Sequence, residues 1–403
     1  MKVGLIWPVS RNVSLGIELL RTTQVFPLPV AIRHLATLTT LPAWATMPQH
    51  TGLHRRETRP LKRRFEPMLG TKLRMRNSVW PISILIVAAA LSLLGCGKSQ
   101  QGPRAYAIAV IPKGTTHEFW KSIHAGALRA ARELSAQGTQ VNVTWKGPLR
   151  EDDREQQIQV VEGFTSQGIN GIVLAPLDSR ALVRPVEEAG RAGIPTVIID
   201  SGLESDKIAS FVATDNLRGG ELAAERMGAL LQGKGKVLML RYQEGSASTE
   251  QREEGFMKGL KAGFPNIEVI SSDQYAGPTR DTAKRASENL LNRFGNDIQG
   301  IFCPNESATS GMLLALQDIG KAGKVIFLGF DATQTFIDAM HNKQLQGIVV
   351  QNPSNMGYLG VKTMVEHLMG KPIEKRVDTG VTMITPENMD APESQSLLHP
   401  PVD

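Results

Sequence analysis

The sequence predicts an α/β protein made of two doubly wound parallel-sheet lobes, and three observations support this. Short β-branched and apolar runs alternate with longer amphipathic segments from residue 106 onward. That alternation is typical of βαβ units, whose parallel sheets are covered by helices on both faces. Polar and aromatic residues follow most of the short runs, and a break near residue 213 separates two groups of segments. Each group has the size of an ordinary domain, ~100–150 residues.

The predicted strands are short, as buried parallel strands are. They cover 106–111, 141–146, 171–174, 196–199, 236–240, 267–271, 300–303, 325–329 and 347–350. Amphipathic helices are predicted at 119–135, 154–166, 181–192, 217–231, 251–262, 282–293, 308–319 and 356–369. Nine strands could form one large sheet or two smaller ones. We place a lobe boundary at Ala213-Thr214-Asp215-Asn216, because an isolated extended run at 208–212 precedes it and Asp215 or Asn216 can cap a new helix.

The charge of the chain is divided unequally. The whole chain has 45 Lys and Arg and 39 Asp and Glu; residues 1–95 hold 13 and 3 of these, which leaves 32 and 36 for residues 96–403. The body is therefore slightly acidic. It has no basic stripe of the kind that follows a phosphate backbone, so we expect no nucleic-acid partner.

Residues 79–94 form an uncharged apolar run of 16 residues, preceded by basic residues and followed by Gly95-Cys96. This pattern predicts a signal peptide over 68–95. The cysteine resembles that of the bacterial lipobox, which predicts lipidation of Cys96 and a polar tether over 96–103. The run is short for a membrane span, which needs ~20 residues, and an uncleaved signal anchor is the alternative.

Residues 1–67 carry Arg- and Pro-rich stretches without an amphipathic period. We interpret them as an over-extended reading frame or as disordered. With a lipidated cysteine after the signal, the body is expected outside the cytoplasm, in the periplasm or cell envelope, anchored to a membrane.

Ligands of open α/β sheets bind beyond the carboxyl ends of the strands. Carboxylates, amides, an arginine and aromatic residues follow the predicted strands here. Planar amide and carboxylate groups suit vicinal hydroxyls, and aromatic faces suit the apolar face of a sugar ring. The candidate ligand-binding residues are Lys113, His117, Phe119, Trp120, Asp200, Arg252, Asn305, Asp331 and Gln351.

Seven motifs occur in a family-like order and spacing. They are Phe119-Trp120, Ile194-Pro195-Thr196-Val197-Ile198-Ile199-Asp200, Ala213-Thr214-Asp215-Asn216, Gln251-Arg252-Glu253-Glu254-Gly255-Phe256, Pro304-Asn305-Glu306, Leu328-Gly329-Phe330-Asp331 and Gln351-Asn352-Pro353. With them, residues 104–388 resemble the ribose-binding-protein-like branch of the periplasmic sugar-binding proteins, the type I periplasmic binding proteins that serve ABC transporters. The lac-repressor effector domain is a relative of this family.

The resemblance implies a three-strand hinge between the lobes. It implies one lobe at 104–213 and 352–378, the other at 214–351 and 379–390, and a flexible tail at 391–403. It also implies that Phe119 and Trp120 line a sugar ring. The residues that it implies for binding the ring's hydroxyls are Asp200, Arg252, Asn305, Asp331 and Gln351. Ser201 and Ala175 stand where ribose binders carry arginine and asparagine, which argues against ribose as the ligand.

Several candidates have plainer interpretations. Asp200 and Asp331 could cap the following helices, and Arg252 could lie on a solvated helix face. One of Phe119 and Trp120 could belong to the core, because adjacent helical residues diverge by ~100°.

Other polar residues of the body also have simple explanations. His117 has no second His or Cys at ligand spacing, so we expect a polar loop residue and no metal. Lys113 and Glu118 could pair with each other or recognise a ligand. Cys303 is expected in the core.

The predicted function is capture of a monosaccharide or similar polyol and its delivery to an ABC-type permease. We expect a monomer without a cofactor. An enzyme is the first rival, but the body lacks nucleotide-binding and nucleophile-elbow motifs. A transcription regulator would need a DNA-binding domain where the apolar run lies. A sugar-sensing receptor component is not separated from transport by the sequence.

Overall fold

The computed structural model describes residues 105–400. The predictions for residues 1–67, the signal peptide, the tether and Cys96 lie outside the described residues, as do residues 401–403. Among the described residues, the helices are too short or too polar to cross a membrane.

Two six-stranded sheets form the centres of two lobes, which confirms the predicted fold class. The first sheet has the order β11-β5-β4-β3-β1-β2 and is parallel throughout. Its strands are β1 (Ala105–Ile111), β2 (Gln140–Trp145), β3 (Gly171–Leu174), β4 (Thr196–Ile199), β5 (Ser210–Ala213) and β11 (Arg376–Asp378). In β1, Ile108 and Val110 face one apolar core and Ala109 and Ile111 face another, because successive side chains of a strand alternate.

The second sheet has the order β12-β10-β9-β8-β6-β7, and only its edge strand β12 is antiparallel among these pairs. Its strands are β6 (Lys234–Met239), β7 (Asn266–Ser271), β8 (Gly300–Phe302), β9 (Ile326–Phe330), β10 (Gly347–Gln351) and β12 (Val381–Ile384). This sheet also has an apolar core on each face. Burial on both faces explains why the sequence shows continuous apolar runs.

Ten described helices cover the sheets. In chain order they are α1 (Glu118–Ala136), α2 (Arg154–Ser166), α3 (Val183–Arg191), α4 (Asn216–Leu230), α5 (Ala247–Gly263), α6 (Arg280–Phe294), α7 (Glu306–Asp318), α8 (Gln334–His341), α9 (Pro353–Leu368) and α10 (Pro392–Leu398). The sequence analysis did not predict α8, α10, β11 or β12. These elements are short, so their periodicity is weak, and tertiary packing decides them.

The chain passes between the sheets three times, after β5, after β10 and after β11. The first and third crossings are bonded to each other. The hydroxyls of Thr214 and Thr379 lie 3.3 Å apart, and the Thr379 N–H donates to the carbonyl of Ala213 at 3.2 Å. This is the predicted three-strand hinge, and Asp215 caps α4 directly after it.

The expected flexible tail at 391–403 is corrected for Pro392–Leu398, which forms α10. Proline occupies the first turn of this helix, where its missing N–H does no harm. Leu398 is 3% exposed and packs in the same core as Ile384 and Met389. Burial of this leucine holds the segment against the second lobe. The sequence of this segment is mostly polar, and for this reason the sequence analysis did not predict a helix there.

Glycines allow two helix pairs to pack closely. A Cβ atom on Gly220 of α4 would overlap the carbonyl oxygen of Arg252 in α5, and one on Gly255 would overlap that of Leu217. The first lobe repeats this arrangement, with Gly126 of α1 against Ser354 and Gly357 of α9 against Ile123. Each lobe therefore needs glycine, which has no side chain, where these two helices meet.

Candidate functional site

The carboxyl ends of both sheets meet in one crevice between the lobes. Its volume is about 330 Å³, including the part that opens to solvent. All nine side chains that the sequence analysis singled out line it. The lining residues are Lys113, His117, Phe119, Trp120, Glu151, Asp200, Tyr242, Ser248, Thr249, Arg252, Asn305, Glu306, Asp331 and Gln351.

Asp200 and Lys113 form a buried ion pair in the first lobe. Asp200 follows β4 with a φ of 61°, and the next element is the strand β5, so Asp200 begins no helix that it could cap. Its Oδ2 lies 3.1 Å from Lys113 Nζ, and both side chains are almost completely buried. Lys113 therefore pairs with Asp200; Glu118, the other partner considered, is exposed.

Lys113 also reaches the other lobe. Its Nζ donates to the hydroxyls of Ser246 and Ser248, each at 3.1 Å. The Ser248 N–H in turn donates to Ser201 Oγ at 3.1 Å. Ser201, which directly follows Asp200, thus contributes a bond between the lobes.

Asp331 follows β9 with a φ of 70°. Its Oδ2 accepts from the Glu306 N–H at 3.0 Å and its Oδ1 accepts from Gln351 Nε2 at 2.7 Å. Thr333, not Asp331, caps α8. Burial raises the pKa of Asp331, and despite the opposing charge of Arg252 it reaches about 6. Because Thr333 occupies the capping position of α8, the interpretation of Asp331 as the cap of the following helix is wrong.

Arg252 lies on α5 and is buried rather than solvated, being 2% exposed. Its Nε donates to Asn216 Oδ1 at 2.8 Å, and its NH1 donates to the Pro304 carbonyl at 3.0 Å. The guanidinium stacks 3.9 Å above the ring of Phe330. Burial lowers the pKa of Arg252, while the charges of Asp331 and other carboxylates oppose this effect.

Asn305 and the aromatic pair complete the predicted set. Asn305 caps α7 by accepting from the Ala308 N–H at 3.2 Å, so it is both a cap and a wall of the crevice. Phe119 and Trp120 contact edge to face, with ring centroids 4.9 Å apart. Trp120 is buried and Phe119 is partly exposed, and both line the crevice.

The sequence analysis missed the most heavily bonded carboxylate of the site, Glu151. Its Oε1 accepts from Trp120 Nε1 at 2.8 Å and lies 2.6 Å from His117 Nδ1. Its Oε2 accepts from the Tyr242 hydroxyl at 2.6 Å, across the boundary between the lobes. A further bond from the Gln243 side chain reaches the Glu151 carbonyl at 2.9 Å. Glu151 therefore joins the aromatic wall to the second lobe.

His117 and Glu151 are held as an ion pair. Burial by itself would lower the pKa of His117, but the charge and hydrogen bond of Glu151 raise it to about 9. Burial would likewise raise the pKa of Glu151, but His117, Tyr242 and Trp120 lower it to about 2. His117 is thus a charged partner in the wall of the crevice.

The sequence does contain a signal for Glu151. This residue lies in the loop after β2, at the same sheet edge as the other candidates. The acidic run that follows Glu151 is typical of a solvated helix start. For this reason the sequence analysis did not include Glu151 among the candidate site residues. Tyr242 and Glu306 follow β6 and β8 and share the strand-end signal; Ser248 and Thr249 carry no distinctive signal.

Cys303 follows β8 and is completely buried in the core of the second lobe. Burial raises the pKa of its thiol well above the usual range. It is a core residue, as the sequence analysis expected.

The comparisons with known proteins agree with this geometry. Residues 108–372 match the family model described as a periplasmic binding protein domain. The chain is 30% identical over 286 residues to the D-allose-binding periplasmic protein of Escherichia coli, with 68% of this chain and 88% of that protein covered. It is 27% identical to a ribose import binding protein of Haemophilus influenzae, over 73% of this chain and 96% of that protein.

Solved structures show the same likeness. A carbohydrate transporter solute-binding protein from Agrobacterium radiobacter, in complex with D-arabinose, superposes with a TM-score of 0.70 at 31% identity, covering 73% of this chain and 99% of that one. An ABC transporter solute-binding protein from Agrobacterium vitis with bound D-fucose gives a TM-score of 0.68 at 34% identity, covering 73% and 100%. The resemblance inferred from the motifs is thereby confirmed.

Proposed function

The chain belongs to the periplasmic binding protein family, and from this premise we propose that it captures a monosaccharide or similar polyol outside the cytoplasm and delivers it to an ABC-type permease. The observation that carries the proposal is the convergence of strand-end side chains from both lobes on one crevice. Ligand-dependent closure of two lobes is a standard way to exclude water from such a site.

The charges of the crevice favour a neutral ligand. Lys113 pairs with Asp200, and His117 pairs with Glu151. Glu306 is paired with Arg280 at 2.8 Å, and Arg252 offsets Asp331. A charged ligand would leave an uncompensated charge in a buried site, which is costly. Sugar hydroxyls can instead bond to these groups without changing the net charge.

The partners follow from the same proposal. A closed, ligand-loaded molecule would dock on the permease, and it would do so as a monomer that returns the sugar unchanged and catalyses no reaction.

A lipid on Cys96 would keep the protein at the membrane. Labelling cells with an alkyne fatty acid tests this anchor: the wild type should incorporate the label and Cys96→Ser should not.

A thermal-shift screen tests the binding function. D-ribose, D-allose, D-arabinose, D-fucose, D-tagatose and xylitol are the probes, and the tightest is then titrated by calorimetry. We expect at least one to raise the melting temperature and to be recovered unchanged. Arg252→Ala should weaken its binding roughly 10- to 100-fold, since hydrogen bonds to a charged group contribute ~1.5–3 kcal/mol.

The exposed Arg285 of α6 provides the matched control. Arg285→Ala should bind the same sugar with the wild-type affinity. If no sugar or polyol of the panel shifts the melting temperature, the proposed function is wrong.

A further inference from the structure

A second cavity adjoins the crevice beside the crossing from β10 to α9. We name it the hinge-side chamber. Its volume is about 700 Å³, including the part that opens to solvent. Its walls include Glu118, Phe119 and Ser122 from α1, Thr333 and Gln334 at the start of α8, and Leu397 of α10.

The chamber and the crevice adjoin and share part of their walls. Phe119, Asp331 and Gln351 belong to the walls of both cavities. A ligand held by Asp331 and Gln351 in the crevice therefore lies next to the chamber. A substituent on the correct carbon of a sugar ring would point into it.

Gln351 supplies an independent indication of a ligand. Its side chain is 2% exposed, and its Nε2 donates to Asp331 Oδ1 at 2.7 Å. Its Oε1 is buried and has no hydrogen-bond partner among the described residues. A buried acceptor without a donor costs free energy, so a hydroxyl supplied by a ligand at this junction would satisfy it.

The walls of the chamber indicate the chemistry of its occupant. Phe119, Val350 and Leu397 offer apolar surface, and Thr333 and Gln334 offer a few polar groups. Of the described residues that line it, Glu118 and Asp331 are carboxylates and none is lysine or arginine. This combination suits a neutral, partly apolar group and opposes a phosphate or carboxylate.

We propose that the ligand is a neutral glycoside or disaccharide, with its sugar ring in the crevice and its substituent in the hinge-side chamber. This inference rests on the proposed sugar-binding function and extends its ligand class from free monosaccharides to sugars that carry a substituent. Segment 397–400, outside the predicted binding region, then contributes directly to specificity.

Calorimetry on the full chain tests the inference. The probes are D-allose, D-arabinose and D-fucose, together with the methyl and phenyl glycosides of each. For the wild type we expect a phenyl glycoside to bind roughly tenfold more tightly than its parent sugar, because the phenyl group buries apolar area. The 1-phosphates of the same sugars should not bind.

Gln334→Trp and Gln317→Trp form a matched pair of variants. Both glutamines are exposed, but only Gln334 lines the chamber, so Q334W should fill it. We expect Q334W to reduce the ratio of the two affinities to about one and Q317W to keep the wild-type ratio. The inference is overturned if free sugars bind and glycosides bind no more tightly, or if Q334W keeps the gain. If neither sugars nor glycosides bind the wild type, the proposed function itself fails.

Discussion

Burial raises the pKa of Asp331, a carboxylate in the wall of the crevice. Its pKa rises from 3.8 to about 6, chiefly through burial. Because the folded-state pKa is raised, ionisation of Asp331 lowers the stability of the fold as the pH rises from 3.8 to about 6. A fold that keeps such a carboxylate bears a cost that ligand binding can offset.

We predict that sugar binding weakens below pH 6, where Asp331 becomes protonated and loses its capacity as a two-oxygen acceptor. The dissociation constant should rise by up to about tenfold per pH unit between pH 6 and 5. Titrations at several pH values measure it. Asp331→Asn, whose side chain does not titrate, should bind weakly at every pH in this range. A wild-type affinity that stays level from pH 7 to 5 contradicts the role assigned to Asp331.

The His117–Glu151 pair makes a different pH prediction. The pKa of His117 is raised from 6.5 to about 9, so its stabilising contribution is complete below pH 6.5 and disappears as the pH rises through 9. The loss should be on the order of 3 kcal/mol in the free energy of unfolding, because one pKa unit corresponds to ~1.36 kcal/mol. Urea unfolding between pH 6 and 9.5 measures it.

His117→Gln should lack this alkaline decline. His124→Gln is the control, because burial lowers the pKa of His124 and the residue stacks on Trp145 away from the crevice. H124Q should therefore lose stability above pH 6.5 as the wild type does. Equal alkaline slopes in the wild type and H117Q would show that the ion pair does not stabilise the fold.

The helix pairs next to the hinge depend on glycine at their contact points. Gly220 of α4 lies against the backbone of α5 at Arg252, so the packing of these helices also positions the arginine of the crevice. Gly357 of α9 has the same relation to α1, which carries Phe119 and Trp120. Close helix packing thus connects each lobe to its part of the site.

We predict opposite effects for two Gly→Ala substitutions in helices. Gly220→Ala should lower the free energy of unfolding by several kcal/mol and weaken sugar binding, since α4 and α5 must move apart. Gly190→Ala in α3, where a Cβ would meet open space, should raise stability by up to about 1 kcal/mol. Calorimetric melting of both variants measures these changes in stability. If Gly220→Ala is as stable as the wild type, α4 and α5 tolerate separation and the prediction is wrong.

Contacts between the lobes hold the described structure closed. Tyr242 of the second lobe donates to Glu151 of the first, and Lys113 of the first lobe donates to Ser246 and Ser248 of the second. Phe119 N–H also lies 3.4 Å from a carboxylate oxygen of Glu306. These bonds join residues of the first lobe to residues of the second, so the balance between open and closed forms depends on them.

We predict that Tyr242→Phe shifts the ligand-free protein toward the open form. The radius of gyration from small-angle scattering should increase, and the apparent affinity for a sugar should fall as the closed fraction falls. Tyr358→Phe is the control, because its hydroxyl bonds to Glu133 at 2.8 Å within the first lobe. Identical scattering from Y242F and the wild type would exclude a role for this bond in closure.

Much of this molecule could be predicted from local patterns. Buried parallel strands and amphipathic helices have periods that appear in short windows, so the predicted boundaries of β3 and α2 agree with those of the structure. Strand ends of a parallel sheet meet at one edge, so this rule groups Lys113 with Asp200 in the first lobe and Asn305 with Asp331 in the second. The motif resemblance then joined the two groups in one candidate site.

The tertiary structure alone decided which side chains pair. Glu151 meets Tyr242 across 91 positions of sequence, and Lys113 meets Ser246 across 133. The helix α10 and the hinge-side chamber likewise arise from packing of the chain's last described segment against the second lobe. Local periodicity reports which face of an element is buried, but it contains no information about how the two lobes close on each other. The hydrogen-bond partners and pKa values of the crevice residues, and the size of the cavity, depend on that closure.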